Sequence, residues 1–533
     1  MSEKKNKKGL IAIIVVAVVI VAAIVSFVVW KTRPRGMTVA VSELPDSLNP
    51  VLEQNTSGLN ANELLFDGLV NLEVKDGRLV AEYALAEYIE QDEVTRKDYR
   101  ATLRDGLVWH DGEKVTADDV VFSYKAYTLA ENKSPMRDYL NAFIKDVVAE
   151  SDNVVRIEFK KPIPEHSAIY VLTFKIIPQI YNKVPMNVNL REGENERAFA
   201  TKPIGTGPFK LKSWDIGKWL TFEANGMYKV IKHEPQADSF VIKRTIDPVV
   251  RRNELRKGRI NLITETSPTD REVISKIKNV DINSYMPFAF YQIEINMDRT
   301  PSADARKAMA YALHREDLVP GTTDTDIAVL NYGPFPANTF QLNAPEYNND
   351  ELPHLLSYDK RRAINLASSS GLSGQNYNLL YPDSMGEFGK ALAEGVAAQL
   401  GEIGVNVEVK RTGDQVFERE VYKNKNYDIA LVYHDGFDSG YSSIGNLYRS
   451  NGSENLTGIA DKKLDAMFDS WEKIDEMVDW IDETLALNAK ISDICPALYL
   501  CTIKKDVYSR GLKNVTIASD NPFLSAEDWQ FTN

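Results

Sequence analysis

Beyond Gly36 the apolar and polar positions follow two rhythms, an alternation of period two and a spacing of three to four. The first marks strands and the second amphipathic helices. "MTVAVSEL", from Met37, opens as a strand, and "GLNANELLFDGLV" follows with Leu64, Leu65 and Leu69 on one predicted helical face. "DYRATLRDGLVWHDGEKV" reads as strands turned at Asp105-Gly106 and Asp111-Gly112, because Asp-Gly between alternating segments is a strong hairpin signal. "TADDVVFSYKAYTLA" predicts a helix with Thr116 at its N-cap. Asp119, three residues on, can reach back to the cap amide, and Asp118 and Asp119 both face the positive end of the helix dipole.

Further on, "VVRIEFKKPIP" is a strand with its hairpin partner upstream, and "KPIGTGPFKLKSWDIGKWLTFEAN" is a glycine turn before two strands. "DPVVRRNELRKGRINL" reads as helix, turn, strand. "FAFYQIEINM" is a strand, and "SADARKAMAYALHRED" one helix with Ala305, Ala308, Met309 and Ala312 on a single face. "KRRAINLASSSGL" is a helix closed by Gly371, "LAEGVAAQLGEIGVNVEVKRT" is helix, turn, strand, and "YDIALVYHDGFD" is a strand. One or two long helices follow between "ADKKLDAMFDSW" and "ALNAKIS". Strand–helix–strand order in the second half predicts an α/β protein with some parallel pairing, and 533 residues predict two or three domains.

The first 36 residues break this pattern. Leu10 to Trp30 is an apolar run whose only polar side chain is Ser26, and as a helix it would span roughly 31 Å, enough to cross a bilayer. It is longer than a signal-peptide core and lacks a small-x-small cleavage site, so it predicts an uncleaved signal anchor, with cleavage as the alternative. Four lysines before the run and three basic residues after it favour an N-terminus in the cytoplasm, leaving the body outside. Residues 1–36 hold seven basic groups and one acid, whereas the rest carries 56 basic and 75 acidic residues, a net of −19. Such a body is repelled by nucleic acid, which excludes that class of partner. The two cysteines, Cys495 and Cys501, are too far apart along an extended strand to pair and are expected as buried thiols.

Enzymatic chemistry finds little support. "GYSSIG" spaces its glycines wrongly for a nucleophile elbow, and the six histidines show no metal-ligand spacing. Gly205-Thr206-Gly207-Pro208 leads into a strand and not a helix, so it is no phosphate loop. His110 has no second imidazole one turn away, and the "HDGEKVTADD" stretch is read as a turn and a helix cap. No catalytic residue, metal site or cofactor is expected.

The order of segments resembles a known family. "LFDGLV", "LRDGLVWHDGEKVTADDVVFS", "IGTGPFKL", "RRNELRKGRINL", "EINMDRTPSADARKAMAYALHRED", "YDIALVYHDGFDSG" and "CPALYLCTIKKDVY" are similar, in sequence order, to the extracytoplasmic solute-binding proteins of ABC importers, family 5, the dipeptide, oligopeptide and nickel-binding class. The chain departs from the family in its apolar N-terminal run and in having His434 near the place where many members carry tryptophan.

The resemblance implies a two-lobed, periplasmic-binding-protein-like fold (type II, venus flytrap) with an extra subdomain in the first lobe, preceded here by one transmembrane helix. The first lobe would comprise residues 37–283 and 497–533, with the subdomain at about 66–202, and the second lobe residues 284–496. Ligand would be enclosed between the lobes, with a peptide's backbone paired by Gln54, Asn55, Thr56 and Ser57. Its ammonium would meet Asp438, or in second place Asp435, and Tyr441 would wall a pocket. The implied function is capture of oligopeptides or dipeptides and delivery to an ABC permease by a monomer tethered to the membrane. The alternatives are a non-peptide ligand such as a nickel chelate or sugar, a ligand-presenting sensor, and, with least support, a hydrolase.

Overall fold

The computed structural model describes residues 36–75, 77–230, 235–266, 268–319, 327–336, 352–435, 441–474 and 477–532. The apolar run Leu10–Trp30 and Asp438 lie outside them. Among the described residues no helix is long and apolar enough to cross a membrane.

Two sheets organise the chain. The first is built on β1 (Gly36–Val41), which pairs in parallel with Ser239–Arg244 on one side and Leu262–Ile263 on the other. In spatial order its seven strands are Phe209–Asp215, Trp219–Ala224, Ser239–Arg244, β1, Leu262–Ile263, Lys505–Ser509 and Asp281–Tyr285. The helix α1 (Thr56–Leu65) follows β1, and its end packs under the glycine turn, where Gly207 N–H donates to Leu65 O. Added Cβ atoms at Gly205 and Gly207 would lie 1.8 and 2.6 Å from the Leu65 carbonyl group, so only glycine permits this approach. The helix stops at Leu65, and Leu69 is buried beyond it, outside the helical face the spacing suggested.

Between these elements lies a subdomain whose sheet runs Ala86–Gln91, Asp98–Leu103, Val154–Phe159, Ile144–Ser151. Its helix α2 (Ala117–Thr128) starts as its sequence requires, with the Asp119 carboxylate accepting from the Thr116 backbone N–H at 2.8 Å. Asp111-Gly112 turns a short hairpin in which Trp109 N–H donates to Glu113 O. Asp105-Gly106 does not: Asp98–Leu103 pairs with Ala86–Gln91 and Val154–Phe159 instead.

After the first sheet's α3 (Pro248–Arg256) and α4 (Pro268–Ile274), the chain crosses into the second sheet between Tyr285 and Phe290. There β2 (Phe290–Ile295) lies between β4 (Ile429–His434) and β5 (Ala497–Ile503), both antiparallel to it, while β3 (Asn376–Pro382) runs parallel to β4 and to Asn406–Thr412. The chain returns after Ile503, later than the 496/497 boundary read from the sequence, because β5 pairs with β2. The segment 302–317 is two helices, Ala303–Tyr311 and Arg315–Leu318. The break lets the buried Arg315 guanidinium reach the carbonyls of Tyr499 and Leu356, while Gln399 takes the His314 backbone N–H and C=O. Cys495 and Cys501 are buried and free, as expected, and burial pushes both thiols up to about 12.

Candidate functional site

In open parallel sheets ligands lie in the crevice outside the carboxyl ends of the strands. In the second sheet the carboxyl ends of β3 and β4 border a cavity of about 480 Å³, with Pro382 and Tyr433 in its wall. Its wall is aromatic: Tyr291, Phe417, Tyr422 and Tyr433, with the Tyr291 and Tyr433 ring centroids 4.7 Å apart. Asp414 and Glu418 add carboxylates to the rim. Burial, reinforced by nearby groups that include Asp435, raises the Tyr291 and Tyr422 phenols, so both are neutral donors at physiological pH.

Beneath this wall sits a buried polar cluster at the end of β4. His434 Nε2 lies 2.6 Å from Glu294 Oε1, and Gln292 Nε2 donates to the same oxygen at 2.6 Å. Tyr448 O–H donates to Gln292 Oε1, and the His434 ring packs against Phe290. At the edge of this cluster the half-exposed Glu454 stands 4.0 Å from His434 Nδ1. Partial desolvation raises its carboxyl, His434 opposes that, and Asp435 and Glu294 add to it. The cluster fixes the strand end from which Asp435 emerges, exposed.

The first-lobe side is organised by Glu53. Its buried carboxylate accepts from three backbone amides, Ser47 at 3.0 Å, Gln54 at 2.9 Å and Asn55 at 2.6 Å. Gly58 makes room for it, since a Cβ there would lie 2.4 Å from the Glu53 carboxyl carbon. Gln54 reaches across to donate to Lys133 O, and Asn55 caps α1 by accepting from Ser57 N–H at 2.8 Å. Thr56 and Ser57 form the first turn of α1 and are not an extended segment. Beside them a cavity of about 190 Å³ holds the Lys175–Glu63 ion pair at 2.5 Å and the buried Asn62 amide.

Gln54, Asn55, Thr56 and Ser57 are therefore contiguous on the first lobe, and Asp435 stands with Tyr433 on the second. Among the described residues no hydrogen bond or ion pair joins the two groups. Tyr441 opens the helix Tyr441–Tyr448. Sequence reasoning did not reach Tyr291, Phe417, Tyr422 or Glu454. Phe417 and Tyr422 occupy a π-helical stretch, Glu418–Lys423, and its flank, where no standard periodicity signals a shared face. Among the described residues no group of histidine, cysteine and acidic side chains could hold a metal ion.

Residues 81–455 match the family model of the bacterial extracellular solute-binding proteins, family 5. The chain belongs to that family. It is a binding protein and not an enzyme. Among its relatives is the oligopeptide-binding protein AppA of Bacillus subtilis, 26% identical over 69% of this chain and 67% of that protein. The ABC transporter substrate-binding protein CtaP of Listeria monocytogenes superposes with a TM-score of 0.79 at 22% identity, over 94% of this chain and 100% of the other. NikZ of Campylobacter jejuni, solved with Ni(L-His), superposes with a TM-score of 0.71 at 20% identity, over 93% and 100%. The two-lobed α/β binding-protein fold expected from the sequence is thus the fold of this chain.

Proposed function

We propose that the protein captures oligopeptides or dipeptides between its two lobes and passes them to an ABC permease while tethered to the membrane by Leu10–Trp30. The lobes divide where the chain changes sheet, at Tyr285–Phe290 and Ile503–Lys505, and these paired crossings act as the hinge. A peptide needs an acceptor for its ammonium, backbone partners and roomy walls for its side chains. The single observation that carries the reading is the exposed Asp435, two residues beyond Tyr433 and close enough to act on the Tyr291 and Tyr422 phenols of the aromatic crevice. Asp438 is a second candidate for the ammonium, and Gln54–Ser57, held by Glu53, is the candidate backbone partner. Tyr441 is the further candidate for a pocket wall.

The test is native mass spectrometry of the full-length chain in detergent, followed by unfolding and sequencing of anything released. Short peptides that co-purify, and whose retention drops in Asp435→Asn or Asp438→Asn, support the reading. A retained metal chelate or sugar, indifferent to both substitutions, replaces the peptide with that ligand.

A further inference from the structure

Although the body is strongly acidic, one stretch of it is not: residues 248–281 carry eight basic and five acidic side chains. They form α3, α4 and their flanks. Asp247 caps α3 by accepting from Val249 N–H at 2.7 Å, and Leu255 anchors the helix in a small core with Ala40, Ile263 and Ile274. That leaves Val249, Arg252, Asn253 and Arg256, spaced as one helical face, along an open groove of about 550 Å³. Lys276, Lys278 and Arg510 line its other side, and among the described residues no acid does. Asp270 pairs with Arg252, and Glu272 with Lys276 at 3.0 Å, both from outside the groove. Arg256 and Lys278 are exposed, and among the described residues no acidic side chain lies within ion-pair distance of either.

The groove's basic end is also where the chain enters the fold. Arg510 N–H donates to Asn261 O, and Asn261 N–H donates to Thr38 O, two residues from the start of β1. Arg256 and Lys278 belong to the same edge, because α3 runs back towards the start of the parallel strands and Lys278 just precedes the strand Asp281–Tyr285, whose first residue pairs with Ser509. Between Trp30 and Gly36 only Lys31, Thr32, Arg33, Pro34 and Arg35 intervene, a reach of at most about 20 Å.

We infer that this basic edge docks on an anionic phospholipid surface, so that the body is oriented on the bilayer and not merely leashed to it. The inference rests on reading Leu10–Trp30 as the anchor. A cluster of cations held within tether reach of anionic headgroups gains on the order of fivefold in surface affinity per side chain. The acidic remainder of the body is repelled by the same headgroups, so a single face is selected.

The full-length chain carrying Ser275→Cys, labelled with a donor fluorophore, would be reconstituted into phosphatidylcholine vesicles with or without phosphatidylglycerol, each doped with an acceptor lipid. The native thiols are buried and do not compete for label. Docking predicts flotation with both kinds of vesicle in about 1 M salt, and energy transfer that rises only on anionic vesicles at about 0.1 M salt. In Arg256→Gln/Lys276→Gln/Lys278→Gln the docked-to-undocked ratio should fall on the order of 100-fold. Flotation with equal transfer on both vesicle types, or transfer unchanged in the triple variant, overturns docking and leaves the anchor. Loss of transfer on adding inorganic phosphate at matched ionic strength reassigns the groove to a small anion. Failure to float in high salt removes the anchor and the inference with it.

Discussion

His110 shows how much one side chain can do without chemistry. Its Nδ1 accepts from Gly205 N–H at 3.1 Å and its Nε2 donates to Gly207 O at 3.1 Å, which fixes a neutral tautomer and ties the "WHDG" turn to the "GTG" turn. Burial lowers its pKa to about 4, and a proton on Nδ1 would face the Gly205 N–H. A base whose folded pKa lies below its unfolded value stabilises the fold above about pH 6.5 and loses that contribution as pH falls towards 4, here about 3 kcal/mol. Urea titrations across this window should show that loss in the wild type and a flatter profile in His110→Gln; equal slopes would rule out His110 as its source. The sequence excluded a metal role for His110, but its partner lies 95 residues away, a pairing that no local pattern carries. Asp435 has the opposite history: its place at a strand end was readable, while the Glu294–His434 support beneath it was not.

At the scale of elements the capping of α2 was legible because its signal is local. Asp119 answers two amides, Thr116 N–H at its start and Gln179 N–H at 2.8 Å from another segment, whereas Asp118 is exposed. Asp119→Ala should cost about 2–3 kcal/mol in chemical denaturation and Asp118→Ala within about 0.5 kcal/mol. Comparable losses would mean that the dipole, and not the cap, holds the helix. Glycine turns and the helix end at Gly371, with φ +73°, were readable for the same reason. What was not readable depends on distance: the break after Tyr311 follows from a buried arginine's need for carbonyls on Tyr499 and Leu356, and the aromatic crevice gathers residues from four separate segments.

For the whole molecule, two cores dominate, one under the first sheet and subdomain and one under the second sheet. Order along the chain was enough to anticipate two lobes; where the chain changes sheet was not, since β5 belongs with β2 through pairing and not through its own composition. If ligand bridges the lobes, calorimetry should show the unfolding transition sharpen and shift upward on adding a bound peptide, by about 2.7 kcal/mol at a hundredfold excess over Kd. Asp435→Asn should shrink that shift; an undiminished one would place the ammonium elsewhere. The sealed thiols carry a last consequence. With Cys495 and Cys501 buried as free, proton-bound sulfhydryls, the body can mature outside the cytoplasm without oxidases or isomerases, and its folded state should be indifferent to the redox poise of its surroundings, aerobic or anoxic alike.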